Sequence, residues 1–316
     1  YKLLSYFGSA EYSYNRKYFA SASVRTDGSS RFHPDNRWGT FWSFGGSWKI
    51  NQESFLEGSQ DWLSNLSLRA SYGAQGNDNV GYYAYPELYE IGSFLDEPTL
   101  HIGESSLDRS RLSTYDLSWE TNLNLNVGLD FGLFNNRVNG TVEYFVRSSS
   151  DLLFALELVP SSGFKTIDSN IGKVKNYGWE FTVNGTPIYT KDWTWRLSVN
   201  ATTYKNDIVK LPTEEPMWQS SKKWVKGGSL YDFWLYEWAG VNPDNGKAQW
   251  YYYDKDGNKQ KTEDYSSLRE NYDKVKVGSS LPKVTGGFQS DLIWKDISLS
   301  MLFSYGIGGK IYNNDK

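Results

Sequence analysis

The sequence predicts an all-β protein, specifically an antiparallel up-and-down transmembrane β-barrel of which this chain forms about ten strands. Three observations predict this fold: long runs that alternate between apolar and polar residues, connections that alternate in length, and a high aromatic content. Aromatic residues make up 17% of the 316 residues, whereas all hydrophobic residues together reach only 39%. The mean hydropathy is −0.61, and no apolar run approaches the length of a transmembrane helix.

The alternation is clearest in three segments. In the first, Leu123, Leu125 and Val127 alternate with asparagine and glycine, which places apolar and polar residues on opposite faces of a strand. The three segments run about 10–13 residues, which suits a tilted membrane crossing better than the short strands of soluble proteins. They lie at about 119–132, 137–147 and 193–202, and weaker ones lie at 4–14, 17–27, 38–50, 65–75, 174–187, 284–295 and 297–306.

The connections between these strands alternate between short and long. Consecutive connections of a meander lie at opposite ends of its strands, so one end carries tight turns and the other long loops, as in outer-membrane barrels. The short connections are 15–16, 134–136, 188–192 and 295–296, and 51–64 is intermediate, with a helical pattern at 53–62. The long ones, expected to be extracellular, are about 28–37, 76–118, 151–173 and 207–283.

Tryptophans concentrate near the predicted strand ends. Amphipathic rings of this kind form girdles at the two membrane interfaces. We therefore predict membrane-girdle positions for Trp119, Trp179, Trp193, Trp195 and Trp294, with Trp38 and Trp48 in similar places. A soluble β-sandwich with aromatic cross-strand pairs is the alternative, but it explains neither the strand lengths nor the alternation of loops.

The composition excludes several classes of function. The net charge of −4 argues against a nucleic-acid partner, and the absence of cysteine excludes a disulfide scaffold. The two histidines, His33 and His101, lie on separate loops, so neither a zinc site nor a catalytic site is predicted. No cofactor is expected. Weak metal candidates are Asp254, Asp256 and Asn258, but the spacing departs from a calcium loop and favours a tight hairpin turn at Asp256-Gly257.

Two aromatic clusters on long loops are the candidate recognition residues. Their rings could stack on sugars or pack peptide side chains, and the alternatives are packing between loops or contact with a partner protein. The predicted substrate or partner contacts are Tyr82, Tyr83, Tyr85, Tyr89, Trp218, Trp224 and Trp234. The same segments also carry Phe94, Tyr231, Phe233, Tyr236 and Trp238.

Several motifs, found in a fixed order along nearly the whole chain, resemble one known family. They are Val24–Phe32 with Arg37–Phe41, Leu66–Gly73 with Gly76-Asn77, Trp119–Thr121, Asn126–Gly132, Asp151–Leu153, Asn170–Val174 with Asn176–Glu180, Ala239–Pro243 and Gly306–Asn313. In this order they are similar to the SusC/RagA-like TonB-dependent outer-membrane transporters of Bacteroidetes. Each motif alone is weak, and the specificity comes from their order.

The resemblance implies a plugged barrel of roughly 22 strands in the Gram-negative outer membrane. The chain would then be residues 1–316 of one barrel domain, lacking the N-terminal plug and the final strands. The implied function is nutrient uptake, the TonB-dependent import of oligosaccharides or peptides. Implied partners are a SusD-like lipoprotein, TonB through the missing N-terminal region, outer-membrane lipid and other envelope proteins. Two alternatives stay open: a SusC-like structural or assembly subunit of a larger complex, and a soluble glycan-binding β-protein.

Overall fold

A computed structural model describes residues 1–82, 84–92, 106–164, 166–213 and 215–313. Within these ranges β-structure dominates. Helical structure there is confined to the four-residue α1 (Glu270–Asp273) and to 3-10 turns at Ile50–Gln52, Ser54–Ser59, Pro160–Ser162 and Tyr265–Ser267. Among the described residues, no helix has the length and apolar character needed to cross a membrane.

The chain divides into two compact units, one of residues 1–175 and 183–185, the other of residues 176–182 and 186–316. The first unit contains one antiparallel sheet in the order β1-β2-β3-β4-β7-β8, and the pairs β5–β6 and β9–β10 lie in its loops. Its strands are β1 (Leu3–Tyr14), β2 (Tyr18–Ser29), β3 (Trp38–Lys49), β4 (Leu63–Asn77), β5 (Leu88–Gly92), β6 (Ser106–Arg111), β7 (Glu120–Leu133), β8 (Val138–Ser150), β9 (Leu153–Glu157) and β10 (Thr166–Asn170).

The second unit takes most of β11 and all later strands. Four long strands follow the order β11-β12-β21-β22, and β13 pairs with β11. Its loops form a four-stranded sheet, β14-β15-β16-β20, and a three-stranded sheet, β17-β18-β19. The strands are β11 (Lys173–Tyr189), β12 (Trp193–Thr203), β13 (Lys205–Lys210), β14 (Met217–Gln219), β15 (Lys222–Trp224), β16 (Asp232–Tyr236), β17 (Trp238–Val241), β18 (Ala248–Tyr253), β19 (Lys259–Thr262), β20 (Lys274–Ser279), β21 (Val284–Trp294) and β22 (Ile297–Ile307).

The ten predicted long strands are confirmed, as β1–β4, β7, β8, β11, β12, β21 and β22, with 11 to 17 residues each. The register brings apolar residues of neighbouring strands side by side. In the first unit Tyr72 lies opposite both Phe44 and Leu125, and in the second Phe288 lies opposite both Val199 and Phe303. Each sheet therefore has one apolar face and one polar face.

The short turns depend on residues in the left-handed region. Asn15 and Arg16 both have positive φ, at 49° and 58°, and the Lys17 amide donates to the Tyr14 carbonyl across the turn. This is a type I′ turn, whose twist matches that of the flanking strands. Phe134, Asn135 and Asn136 also have positive φ, and so does Lys295. Asparagine tolerates this conformation better than most residues, which explains its use here.

Two sequence predictions within the loops need correction. The helical pattern at 53–62 is realised as 3-10 turns rather than as an α-helix. The runs 232–241 and 247–253 flank the turn residues Asp244-Asn245-Gly246, a pattern that predicts a hairpin, and this hairpin forms only in part, because β17 pairs with β18 whereas β16 pairs with β20. A bulge between Phe233 and Trp234 accompanies the pairing of β16 with β20.

Candidate functional site on the polar face and the long loops

The polar face of the first unit carries an ion-pair network across three strands. Arg69 on β4 contacts Asp130 on β7 at 3.1 Å and Glu143 on β8 at 2.5 Å. The Thr141 hydroxyl adds a bond of 2.8 Å to Asp130. Farther along the same face, on β2, Arg25 pairs with Asp27 at 2.7 Å. Because these guanidinium groups already bind carboxylates, this part of the face presents polarity with little uncompensated positive charge.

A cleft of about 680 Å³ opens on the polar side of strands β1–β4. Much of its lining consists of small residues, among them Ser21, Gly45 and Ser71, and its charged residues are Glu11 and Arg69. Small side chains leave space next to the wall, and hydroxyl groups offer hydrogen bonds without fixing the charge of a partner. This cleft can accommodate a polar chain or protein segment, but its lining shows no specific recognition geometry.

Aromatic rings on the apolar face stack near the strand ends. Trp193 and Trp294 stack at 5.5 Å beside the short turn between β21 and β22, and both are more than two-fifths exposed. Trp195 donates its indole N–H to Ser290 at 3.0 Å, and Trp179 stacks on Phe181 at 6.2 Å. The girdle assignment of these four tryptophans stays a prediction, and their places on the apolar face agree with it.

The first unit shows similar aromatic pairs at both ends of its apolar face. Tyr18 stacks on Trp48 at 6.3 Å beside the short turn, and Tyr6 stacks on Trp38 at 6.1 Å near the long-loop end. The two pairs lie at opposite ends of the same strands, which is the arrangement that two membrane interfaces require.

Trp119 does not share this arrangement, and its girdle position stays a prediction that its contacts do not support. It precedes β7, and its ring lies 5.6 Å from Phe32 and 5.4 Å from Phe41. Its indole N–H donates to the Arg37 carbonyl at 2.8 Å. The side chain therefore packs under the loops, because the chain has not yet entered the regular alternation of the strand.

The long loops of the first unit are joined by an apolar cluster and by polar bonds. Phe32, Ala84 and Leu117 are almost completely buried, and Val80, Trp119 and Leu153 pack against them. Asn170 links two further segments, because its side chain donates to the carbonyls of Ser118 and Asp151 at 2.9 Å each. We call this region the first loop cluster.

The predicted tyrosines of this cluster differ in their surroundings. Tyr82 is 62% exposed, and the Arg31 guanidinium lies 5.1 Å from the centre of its ring. Tyr85 is half-buried and contacts His33 edge-on at 5.7 Å, whereas Tyr89 is half-exposed on β5. Tyr83, Phe94 and His101 lie outside the described residues. Of these tyrosines, Tyr82 and Tyr89 present the largest free surfaces.

The loops of the second unit are fixed by buried polar side chains. Asp232 is 3% exposed, accepts the Ser229 amide at 3.0 Å and pairs with Lys276 at 2.6 Å. Asn206 accepts the Leu230 amide at 2.8 Å and donates to Asn176 at 2.6 Å. These contacts tie the four-stranded sheet to the loop that follows β12.

Asp273 has the same role at the three-stranded sheet. It is 1% exposed, and it accepts the amides of Arg269 and Tyr253 at 2.7 and 2.9 Å. Burial acts to raise the pKa of the Asp273 carboxyl, but the hydrogen bonds from Arg269 and from the backbone outweigh it and lower the pKa. The carboxylate is thus held charged in its pocket.

Trp218, Trp234 and Tyr236 lie on one face of the four-stranded sheet, together with two lysines. The Lys223 ammonium group lies 4.8 Å from the Trp218 ring and 5.3 Å from the Trp234 ring. Lys274 lies 4.8 Å from Trp218 and 5.5 Å from Tyr236. Rings and cations therefore alternate without interruption, and we call these five residues the lysine–aromatic face. Sequence reasoning missed its lysines, although Lys222-Lys223 between Trp218 and Trp224 was the available signal.

The third predicted tryptophan of this region, Trp224, is half-buried and lies outside that set. Its indole N–H donates to the Leu230 carbonyl at 3.3 Å, so its polar edge is already engaged within the loop. Trp224 also lies opposite Met217 across the β14–β15 pair. Its contacts suit packing of the loop.

The weak metal candidates form the tip of the β18–β19 hairpin. One carboxylate oxygen of Asp254 accepts the amides of Asp256 and Asn258 at 3.0 and 2.8 Å, and Gly257 has a φ of 81°. The bond from the Asn258 amide is the largest cause of a lowered pKa at Asp254. In the described part of the chain, no three His, Cys, Asp or Glu side chains cluster closely enough to hold a metal ion.

The fold and the site together define a class: in each unit, long antiparallel strands typical of a β-barrel wall carry long loops at one end. The family described as TonB dependent receptor-like, beta-barrel matches residues 1–291, and the chain belongs to this family. It is a SusC/RagA-like member, and such barrels lie in the outer membrane. The apolar face described above is accordingly the face toward lipid.

Named relatives support this assignment. The TonB-dependent receptor SusC of Bacteroides thetaiotaomicron is 40% identical over 211 residues, covering 66% of this chain and 21% of the relative. Receptor P39 of Formosa agariphila is 30% identical over 356 residues, covering 99% and 33%. A solved structure of the RagAB peptide transporter matches with a TM-score of 0.87 at 33% identity, covering 99% of this chain and 34% of the other. The chain thus spans about a third or less of the length of these proteins.

Proposed function

We propose that this chain is a wall segment of a TonB-dependent importer that carries oligosaccharides or peptides across the outer membrane. The observation that carries the proposal is the arrangement of faces and loops. In each unit, long strands turn an apolar face to lipid and a polar face to the other side, with elaborate loops at one end of its sheet, and the cleft lies on the polar side of the first unit. The match to a peptide transporter over nearly the whole chain supports it.

The long loops, at about 28–37, 76–118, 151–173 and 207–283, face the cell exterior in this proposal, and residues 1–316 form part of one barrel domain. A SusD-like lipoprotein covers the loop end, a plug from outside this segment fills the lumen, and TonB acts on that plug. The exposed rings of Tyr82 and Tyr89 and the half-buried rings of Trp218 and Trp234 are then placed to contact substrate or lipoprotein. The chain itself contributes passage and recognition, and no covalent chemistry is assigned to it.

The composition of the polar face agrees with passage rather than tight capture. The described ion pairs around Arg25 and Arg69 compensate their own charge, so a solute moving along this wall meets hydroxyl, amide and paired groups. Selectivity is accordingly assigned to the loops, where cations and aromatic rings are concentrated.

The test uses the full-length receptor in a Gram-negative host that expresses it. Uptake of labelled oligosaccharides and labelled peptides is compared between cells with and without functional TonB, and in a strain that lacks the receptor. Uptake that needs both proteins supports the proposal. Uptake of neither solute class, with the receptor present at normal abundance in the membrane, would overturn it.

A native pull-down of the same receptor addresses the partner. A single SusD-like lipoprotein in near-equal amount is the expected result. Capture of many envelope proteins, together with no measurable uptake, would instead favour the structural or assembly subunit.

A further inference from the structure

The lysine–aromatic face is a part of the loops whose ligand the general transport proposal leaves unspecified. It consists of Trp218, Lys223, Trp234, Tyr236 and Lys274, all half-buried. Resting on the import function proposed above, we propose that this face binds an acidic oligosaccharide, a sugar chain that carries carboxylate groups. The four-stranded sheet β14-β15-β16-β20 would then select acidic sugar chains as its substrate class.

The first argument is that the face is built by the register of the sheet. Trp218 lies directly opposite Lys223 across the β14–β15 pair, and Tyr236 lies directly opposite Lys274 across the β16–β20 pair. Trp218 joins the two pairs, because both ammonium groups lie 4.8 Å from its ring. The two cations are therefore held at set positions on rings rather than moving freely in solvent.

The second argument concerns charge. Among the residues that the structure describes, no carboxylate forms an ion pair with the Lys223 ammonium group. The neighbouring Asp232 is committed to Lys276 and to the Ser229 amide. An aromatic ring attracts a cation but does not neutralise it, so Lys223 keeps a charge to offer to an anion.

The third argument separates acidic from neutral sugars. A neutral sugar needs a bare ring to stack on, and here cations already occupy ring faces of Trp218, Trp234 and Tyr236. Displacing an ammonium group from a ring loses the attraction between cation and ring, and an uncharged ligand supplies nothing to replace that attraction. A carboxylate is attracted by the same ammonium groups while they stay on the rings. The sugar ring then contacts the remaining aromatic surface.

The fourth argument favours a sugar chain over an acidic peptide. Extended peptides commonly bind by adding a strand to an open sheet edge, which takes a run of unpaired backbone groups. Of the two edge strands, β14 has only three residues, Met217–Gln219, and β20 has its Val277 and Ser279 carbonyls bound by Lys310, so neither offers a long enough run of free backbone groups. Recognition on this sheet therefore rests on side chains, which suits alternating rings and acid groups along a sugar chain.

The test uses the purified full-length receptor in detergent with three probes of matched length: hexagalacturonate, the neutral maltohexaose and hexaglutamate. Binding is measured by calorimetry at low and at physiological salt. Hexagalacturonate is expected to bind best and to weaken with salt, since exposed charges are screened over about 10 Å at 0.1 M. The double variant Lys223→Gln/Lys274→Gln should weaken it by about tenfold, the loss expected if the charge contacts of this face together contribute about 1.4 kcal/mol.

Two further variants control this comparison. Lys255→Gln removes the same charge from an exposed hairpin tip away from the rings, and it should leave binding unchanged. Lys223→Arg/Lys274→Arg keeps both charges and should restore most of the affinity, which excludes a folding defect as the cause of the loss.

The proposal is overturned if the unmodified receptor does not bind hexagalacturonate, if the double Gln variant binds like Lys255→Gln, or if hexaglutamate binds tighter. Its failure is distinct from failure of the import function. A receptor that takes up neutral oligosaccharides or peptides through TonB and ignores hexagalacturonate would contradict the acidic-sugar assignment alone.

Discussion

The two loop regions of this protein are held together in different ways. The first loop cluster is organised around an apolar centre, where Phe32 and Leu117 are almost completely removed from solvent. The loops of the second unit are organised around buried polar groups, of which Asp273 and Asp232 are the most enclosed. Apolar packing depends on shape and area, whereas buried carboxylates depend on complete hydrogen bonding and on their charge. The same wall architecture thus supports two loop regions. The stability of one depends on the shape and area of its apolar packing, and the stability of the other depends on the hydrogen bonds and charge of its buried carboxylates.

The largest effect is expected from Phe32→Ala. Loss of a buried aromatic ring typically costs about 3–5 kcal/mol, and here the loss falls on the loops that Phe32, Ala84 and Leu117 join. Hydrogen exchange should accelerate in residues 28–37 and 115–119 while the long strands stay protected. Phe55→Ala is the matched control, because Phe55 is 68% exposed and should change little. Equal exchange in both variants would contradict an apolar centre in this cluster.

A smaller effect is expected from Asp273→Asn in the second unit. The substitution keeps the shape but removes the charge that Arg269 and two backbone amides bind, which costs about 1.5–3 kcal/mol. Protease cleavage within residues 248–273 reports the local loosening. Asp256→Asn, at the exposed hairpin tip, controls for the chemistry of the change. If both variants resist protease equally, the buried Asp273 carboxylate is not what holds this loop.

Smaller effects are expected from two matched asparagine variants, one in each loop region. They test whether the first loop cluster also depends on polar bonds, and how strongly compared with the second unit. Asn170→Ala removes three bonds from the first loop cluster, one accepted from the Ser118 amide and two donated, and Asn206→Ala removes the contacts to Ser229, Leu230 and Asn176. Each should cost about 1 kcal/mol, with the larger loss at Asn206, which is 5% exposed. Thermal melting of each variant, followed by limited proteolysis, measures the difference. The reverse order would contradict the contrast between the two regions.

The smallest effect is expected from mild acidification. The folded pKa of Asp273 is lowered, so its contribution is complete above the unfolded pKa near 4 and is lost as the pH falls through the folded value. Between pH 7 and pH 5 the second-unit loops should therefore stay intact. Below about pH 4 they should loosen before the first loop cluster does. Hydrogen exchange at stepped pH values, corrected for intrinsic rates, checks this order.

The sequence predicted the wall well because a strand has a period of two that every residue obeys. The ten long strands, their polar and apolar faces and their short turns all follow from local pattern. Trp119 shows the limit of that reasoning. It stands one residue before β7 begins, where the alternation does not yet apply, and its ring turns to Phe32 and Phe41.

The loops were predicted less well because their contacts join residues far apart in sequence. The partners of Phe32 are about 50 and 85 residues away, and no periodicity connects them. The pairing of β16 with β20 likewise joins segments that are far apart in sequence, and no local pattern predicts it. For the lysine–aromatic face, the rings were visible in the sequence, but their cations depended on that pairing.

The positive-φ turns have a consequence for how the wall is assembled and modified. Asn15-Arg16, Phe134–Asn136 and Lys295 each close a pair of strands that are neighbours in sequence, so such a hairpin can form with little loop-closure entropy. Pairs joined by the long loops must instead wait for distant chain segments to meet. The hairpin is thus the natural unit of growth, and adding or deleting one whole hairpin keeps every remaining loop at its own end of the sheet.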